Sequence, residues 1–351
     1  MSTLNFRARP TGDGPSALDG RLPPAPQAEA RVTWLDAARG VGIVLVVLGH
    51  SLGGLMSGGY ASFDGPFGAA FVLIYSFHMP LFFALSAMFL PDRLDRSYRR
   101  IAESALVRIA YPYLVWGTIQ FLVIASLGRI VNTPVPFSWG ALVALAWNPP
   151  SQFWFLYTLV LFQFAAILFH RFADLRVMLA VAVAVRILPE VVALPKILDM
   201  SLRYWIYYAA AANCAALLRE RHTFDRISPP ALAAVALAWL GAAYFAFLHG
   251  GDQSPADIPA AILGTVVFLK LALMARSGLR GALIWLGLRS MPIFVLHVLV
   301  VAGVRIALTH VLHVDAPLPI LAVAVAAGLV LPAAVFDAAK KWGIAGRLAL
   351  E

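Results

Sequence analysis

Three ionisable residues share one apolar segment near the N-terminus, RVTWLDAARGVGIVLVVLGHS at 31–51. In an α-helix each residue advances the azimuth by about 100°, so Asp36, Arg39 and His50 fall on one face. Arg39 and His50 are then separated by about 16 Å along the axis. An imidazole can take up a proton near neutral pH, so this face is suited to acid–base chemistry.

The same three residues also have a purely structural reading. Asp36 and Arg39 are suited to an interface between lipid and water, and His50 to a hydrogen bond between packed helices. Because charged groups avoid lipid, either reading predicts that this face of the helix meets protein or a water-filled cavity.

A second histidine lies in FVLIYSFHMPLFFALSAMFLP at 71–91. Pro80 follows His78 by two residues and is expected to disturb the helix, which suits a cavity wall. A neutral imidazole that bridges two helices is the alternative for His78. His297 in SMPIFVLHVLVV repeats the pattern, and Arg305 is a further charge in an apolar run that should have a partner.

Arginine is concentrated in PDRLDRSYRRIAESALVR at 91–108, which contains five of these residues. Guanidinium groups bind phosphate oxygens in pairs, so the segment is a candidate phosphate-binding rim. Orientation in the membrane and attraction to anionic lipid headgroups explain the same charges without a ligand. Pro112, just beyond Arg108, predicts an irregular helix.

Composition assigns the chain to a structural class, since 61% of the 351 residues are hydrophobic and 13% are charged. A mean hydropathy of +0.81 and repeated long apolar runs predict an all-α, polytopic membrane helix bundle. The predicted spans number about ten, namely 35–56, 67–90, 106–127, 152–170, 177–194, 204–218, 230–248, 258–275, 283–312 and 317–337.

Lys and Arg are concentrated in alternate loops, which predicts that both termini are cytoplasmic. The net charge of +9 is explained by this topology and requires no nucleic-acid partner. Three regions are expected: a disordered cytoplasmic tail over 1–30, a transmembrane domain over 31–340 and a cytoplasmic C-terminal tail over 341–351. His50, His78 and His297 occur on separate spans without Cys or carboxylate spacing, so no metal is predicted.

Five segments occur in an order that resembles integral membrane acyltransferase family 3, over about 31–337. These are WLDAARGVGIVLVVLGH, YSFHMPLFFALSAMFL, RRIAESALVRIAYPYLVW, FWFLYTLVLF and SMPIFVLH. The most specific feature is the arrangement of Arg39 and His50, which have ten residues between them. The segment FHMPLFF, which contains His78, is the next most specific. Members of that family are O-acetylases of surface glycans and related compounds.

The resemblance implies transfer of an acyl group, expected to be acetyl, from cytoplasmic acetyl-CoA to a hydroxyl at the outer face. The resemblance also implies a carbohydrate or glycolipid as the acceptor. The expected location is the bacterial plasma (inner) membrane, with membrane lipid as a partner. Catalysis is then expected from His50, as general base or acyl carrier, His78, Asp36 and Arg39. Asp36 is expected to pair with Arg39, three residues further on, and to hold it in place. CoA is expected to bind at Arg39, Arg99, Arg100 and Arg108.

Transport is the competing class of function. Buried histidines in a bundle of this size also suit a proton-coupled transporter or a flippase for a lipid-linked sugar. No pair of broken helices at matching places in two halves is visible in the sequence, and the arginine-rich loop has no obvious role in a carrier. A homo-oligomer is compatible with the sequence, which leaves the oligomeric state open.

Overall fold

The computed structural model describes residues 33–350, and every regular element within this range is helical. The predicted disordered tail at 1–30 lies outside the described residues. The first half contains α1 Thr33–Ser57, α2 Pro66–Tyr75, α3 His78–Ala87, α4 Leu90–Arg96, α5 Tyr98–Ala105, α6 Tyr111–Leu127, α7 Trp139–Ala144, α8 Trp154–Phe172 and α9 Leu175–Val185.

The second half continues the same architecture. It contains α10 Leu188–Val191, α11 Lys196–Asn213, α12 Ala215–Arg219, α13 Arg221–Asp225, α14 Pro229–Leu248, α15 Ile258–Met274, α16 Ser277–Leu288, α17 Ser290–Ile306 and α18 Pro317–Lys341. Two π-helical turns, Leu106–Ala110 and Ala307–Val311, and short 3₁₀ turns complete the described elements.

Eight helical segments of the described chain are long and apolar enough to cross a membrane. Large apolar side chains such as Leu237 and Phe245 on α14 are exposed, as expected of a surface that faces lipid. The polytopic helical class is therefore confirmed, while the count of ten and the cytoplasmic termini stay predictions. The eight segments are Thr33–Ser57, Pro66–Arg96, Tyr98–Ile130, Ser151–Phe172, Pro229–Leu248, Pro255–Met274, Ser290–Val311 and Pro317–Lys341.

Three predicted spans have different helix boundaries in the structure. The span at 177–194 is divided between α9 and the one-turn α10, and the span at 204–218 overlaps α11 and α12. The span at 283–312 begins in α16 and continues in α17 after a break at Arg289. Pro189 at the start of α10 and the charged residues of α11 explain why long apolar helices do not form there.

α1 is the central helix of the described bundle, since it packs against α2, α3, α15, α16, α17 and α18. The predicted polar face of α1 is accordingly enclosed by protein. Its contact with α16 depends on two glycines. A Cβ atom at Gly40 would lie 1.9 Å from the Leu283 carbonyl oxygen, and one at Gly287 would lie 1.8 Å from the Asp36 carbonyl oxygen.

Breaks in two helices occur near the predicted functional residues. α2 ends at Tyr75 and α3 begins at His78, because Pro80 cannot donate a backbone hydrogen bond to the preceding turn. The predicted irregularity at Pro112 is confirmed, since the π-helical turn Leu106–Ala110 precedes it and contains Arg108.

The chain beyond α18 folds back onto α6 and the residues before it. The Trp116 indole N–H donates to the Leu348 carbonyl at 2.8 Å, and the Tyr111 hydroxyl donates to the Arg347 carbonyl at 3.0 Å. Leu350 is buried. The predicted C-terminal tail therefore contains an ordered segment that packs against the bundle.

We expect Gly287→Ala to destabilise the protein, because its methyl group would collide with the backbone of α1 and force the helices apart. Overpacking of this kind costs about 1–3 kcal/mol. Gly281→Ala, on the same helix with nothing within 4 Å of its Cβ position, is the matched control. Thermal unfolding of the purified protein in detergent measures both variants. Equal midpoints for Gly287→Ala and wild type would contradict the close α1–α16 contact.

Candidate active site

Asp36 and Arg39 form an ion pair on the first turns of α1. The Arg39 Nη1 donates to Asp36 Oδ1 at 3.0 Å, and the Asp36 side chain is buried. The predicted pairing is therefore confirmed. Since a buried carboxylate is costly without a partner, each side chain holds the other in place.

His50 lies about 16 Å further along α1, as eleven residues of helix require. Its ring packs against the ring of His297 on α17, with 5.0 Å between the centroids. Backbone hydrogen bonds fix the rings of His78 and His297, whereas none is found for the ring of His50 within residues 33–350. His50 is partly exposed and is thus the imidazole best able to contact a substrate.

His297 was noted in the sequence but not assigned to the site. It is fully buried, and its Nδ1 donates to the carbonyl oxygens of Phe294 at 2.7 Å and Ile293 at 3.1 Å. Because carbonyls only accept, Nδ1 has the proton and Nε2 is left as an acceptor. Nε2 is enclosed and has no hydrogen-bond partner among the described residues. An unpaired buried nitrogen of this kind needs an explanation.

His78 reaches the site because α2 and α3 are separate helices. Its Nδ1 donates to the Ile74 carbonyl at 2.8 Å, at the end of α2, and its ring packs against Tyr75 with 4.7 Å between the centroids. The tight contact of Gly49 with Ile74 and Tyr75 brings α1 to this break. His297 packs against His50, and Gly49 beside His50 contacts the two residues that hold the His78 ring, so three predicted spans contribute one histidine cluster.

A basic cavity of about 610 Å³, the arginine cavity, lies beside the arginine-rich segment. Arg100 and Arg108 line it, as do Arg93 and Arg96. Arg99 does not: it pairs with Glu103 at 2.6 Å and its side chain is 87% exposed. The structure therefore brings two of the predicted phosphate-binding arginines together and adds two others.

A smaller cavity of about 290 Å³ adjoins the basic one at Arg108, which lines both. Arg39 lies in its wall with Ser86, and most of the remaining lining is apolar, including Phe82, Leu85, Phe155, Leu156 and Phe294. The Phe294 ring lies 5.9 Å from that of His297. Arg108, the Asp36–Arg39 pair and Phe294 thus mark a path from the basic cavity towards the histidine cluster.

A second basic cavity of about 600 Å³ is lined by Arg221, Lys270, Arg276 and Arg280. The Lys270 ammonium donates to the Phe224 carbonyl at 2.9 Å. This cavity and the path share no lining residue. No group of three His, Cys, Asp or Glu side chains in residues 33–350 is arranged to hold a metal ion, and the absence of a metal stays a prediction.

Comparison with known proteins gives one match. Residues 32–337 match the acyltransferase domain of acyltransferase family 3, and this range includes the histidine cluster and the arginine cavity. No curated protein and no solved structure matches the chain. Since the matched range covers most of the 351 residues, the chain belongs to acyltransferase family 3 and is a multi-pass membrane acyltransferase.

Proposed function

We propose that this acyltransferase moves an acetyl group from cytoplasmic acetyl-CoA to a hydroxyl of a carbohydrate or glycolipid at the outer face of a bacterial plasma membrane. The observation that supports this most strongly is the position of Arg108 between the arginine cavity and the smaller cavity. Together the cavities have the polarity of CoA, which has a phosphorylated nucleotide at one end and a slender arm at the other.

The phosphates of CoA are assigned to Arg93, Arg96, Arg100 and Arg108. Guanidinium groups match phosphate oxygens in geometry and charge. The pantetheine arm then occupies the mostly apolar cavity beside Arg39, whose orientation Asp36 maintains. An extended arm of order 15–20 Å brings the thioester to the level of His50. The thioester and the reacting groups can then come into near-attack contact.

The histidines supply the proton transfers in this proposal. His50 accepts the proton of the acceptor hydroxyl as its oxygen attacks the thioester carbonyl. The carbon–sulfur bond breaks, the CoA thiolate leaves, and the proton on His50 passes to that sulfur, so charge and atoms balance. His78 orients the acceptor or polarises the carbonyl. His297 restricts the His50 ring by packing against it.

We expect His50→Ala to lower acetyl transfer by about 10²–10⁴-fold, the usual contribution of a general base. The assay supplies acetyl-CoA labelled in the acetyl group to membranes that contain equal amounts of each variant, with extracted glycans and glycolipids as acceptors. His249→Ala is the matched control, because His249 is an exposed histidine outside the cluster.

Label transfer that is equal in wild type and His50→Ala would remove His50 from the chemistry. If labelled thioester is retained in both while substrate-driven uptake into vesicles is found, the transport alternative is favoured.

We expect Arg100→Gln and Arg108→Gln each to raise the KM for acetyl-CoA by about tenfold or more, because each removes a charge-assisted contact to phosphate. The increase in KM should be smaller with dephospho-CoA derivatives, which lack one of the phosphates. Arg171→Gln, an exposed arginine at the end of α8, is the control.

Arg99→Gln is expected to change the KM less than Arg100→Gln or Arg108→Gln, since Arg99 does not line the cavity and its side chain is exposed. A KM that responds equally to all arginine variants would show a general charge effect. It would contradict a specific CoA site in this cavity.

A further inference from the structure

Arg305 is a buried cation that the proposed acyl transfer does not use. It lies on α17, eight residues or about two turns beyond His297, and is 5% exposed. Its guanidinium lies against α1 at two glycines beyond His50. A Cβ at Gly58 would be 3.2 Å from its Nη1, and a Cβ at Gly54 would be 3.8 Å from its Nε.

The guanidinium of Arg305 has no anionic partner. It makes no ion pair and no side-chain hydrogen bond within residues 33–350, and Gly54, Gly58 and Tyr60 are among its neighbours. Four other enclosed arginines do have carboxylate partners. Arg186 pairs with Asp257, Arg203 with Glu190 and Asp199, Arg219 with Asp92, and Arg289 with Asp337.

A buried charge is costly unless an opposite charge or hydrogen bonds compensate for it. This chain supplies such compensation at Arg186, which is as buried as Arg305. The missing counter-charge at Arg305 therefore points to an anionic group that comes from a ligand.

Residues from several elements of the fold surround Arg305. The π-helical turn Ala307–Val311 begins two residues after it, and the Thr309 hydroxyl donates to the Arg305 carbonyl at 3.0 Å. Such turns are frequent at functional sites. The Asn132 amide, from the segment after α6, donates to the Gly54 carbonyl at 3.1 Å and to the Ser57 hydroxyl at 2.6 Å. The two glycines leave room beside the guanidinium.

We propose that Arg305 binds an anionic group of the acceptor, a carboxylate or a phosphate, while His50 activates the acceptor hydroxyl. Gly54 and Gly58 lie four and eight residues beyond His50, or about 6 and 12 Å along the helix. A sugar unit can span the shorter of these distances between a reacting hydroxyl and its anionic substituent. The inference rests on the proposed function, because it names the chemical class of the acceptor for that site.

The test uses the full chain in nanodiscs of neutral lipid and three soluble probes. Methyl glucuronide presents a carboxylate, glucose 1-phosphate a phosphate, and methyl glucoside neither. Thermal unfolding is followed at increasing probe concentration. We expect at least one anionic probe, and not methyl glucoside, to raise the midpoint, and the responding probe identifies the anion. Arg305→Gln should weaken this apparent affinity by about tenfold or more.

Arg129→Gln is the matched control, since Arg129 is an exposed arginine in the loop that also contains Asn132. It should retain the wild-type response. Arg305→Lys keeps the charge but loses the planar pair of donors, so its affinity should lie between those of wild type and Arg305→Gln. It provides the comparison if Arg305→Gln does not fold.

The inference is overturned if neither anionic probe stabilises wild type more than methyl glucoside does, or if Arg305 and Arg129 variants respond alike. Cleavage of the acetyl-CoA thioester is measured in the same nanodiscs with wild type and His50→Ala, with extracted glycans and glycolipids present to accept the acetyl group. His50-dependent cleavage without an Arg305-dependent response overturns the acceptor subsite alone. Absence of His50-dependent cleavage overturns the proposed function itself.

Discussion

Ionisable side chains within a bilayer must face protein or water, and this constraint determines the position of α1. The helix carries Asp36, Arg39 and His50 on one face, so other helices have to surround it. Six helices pack against it in the described bundle, and the glycine contact with α16 permits their close approach. The central position of α1 is therefore a consequence of where its polar residues lie.

Departures from regular helix occur beside residues that are assigned to the proposed site. The break between α2 and α3 leaves the Ile74 carbonyl available to fix the His78 ring, and the π-helical turn before Pro112 contains Arg108, which lines both cavities. Irregular backbone at membrane depth is tolerated only where protein or a cavity satisfies its polar groups. The path proposed from the arginine cavity to the histidine cluster runs beside both of these irregular segments.

The sequence was sufficient for the helical membrane class, the polar face of α1, the Asp36–Arg39 pair and the irregular helix near Pro112. These depend on local spacing and residue chemistry. The contact of His297 with His50 joins residues far apart in the chain, and only the packed helices determine which arginines of the segment line the cavity. Tertiary packing decides such features, as it decides where the predicted spans after 177 begin and end.

One continuous path is proposed to connect the arginine cavity to His50. The most direct measurement is a cryo-electron microscopy structure with a thioether analogue of acetyl-CoA, which cannot transfer its acyl group. The account predicts nucleotide phosphates against Arg100 and Arg108, and the acyl end about 3.5 Å from the His50 ring. An analogue bound in the cavity of Arg221, Arg276 and Arg280 with its acyl end remote from His50 would contradict it.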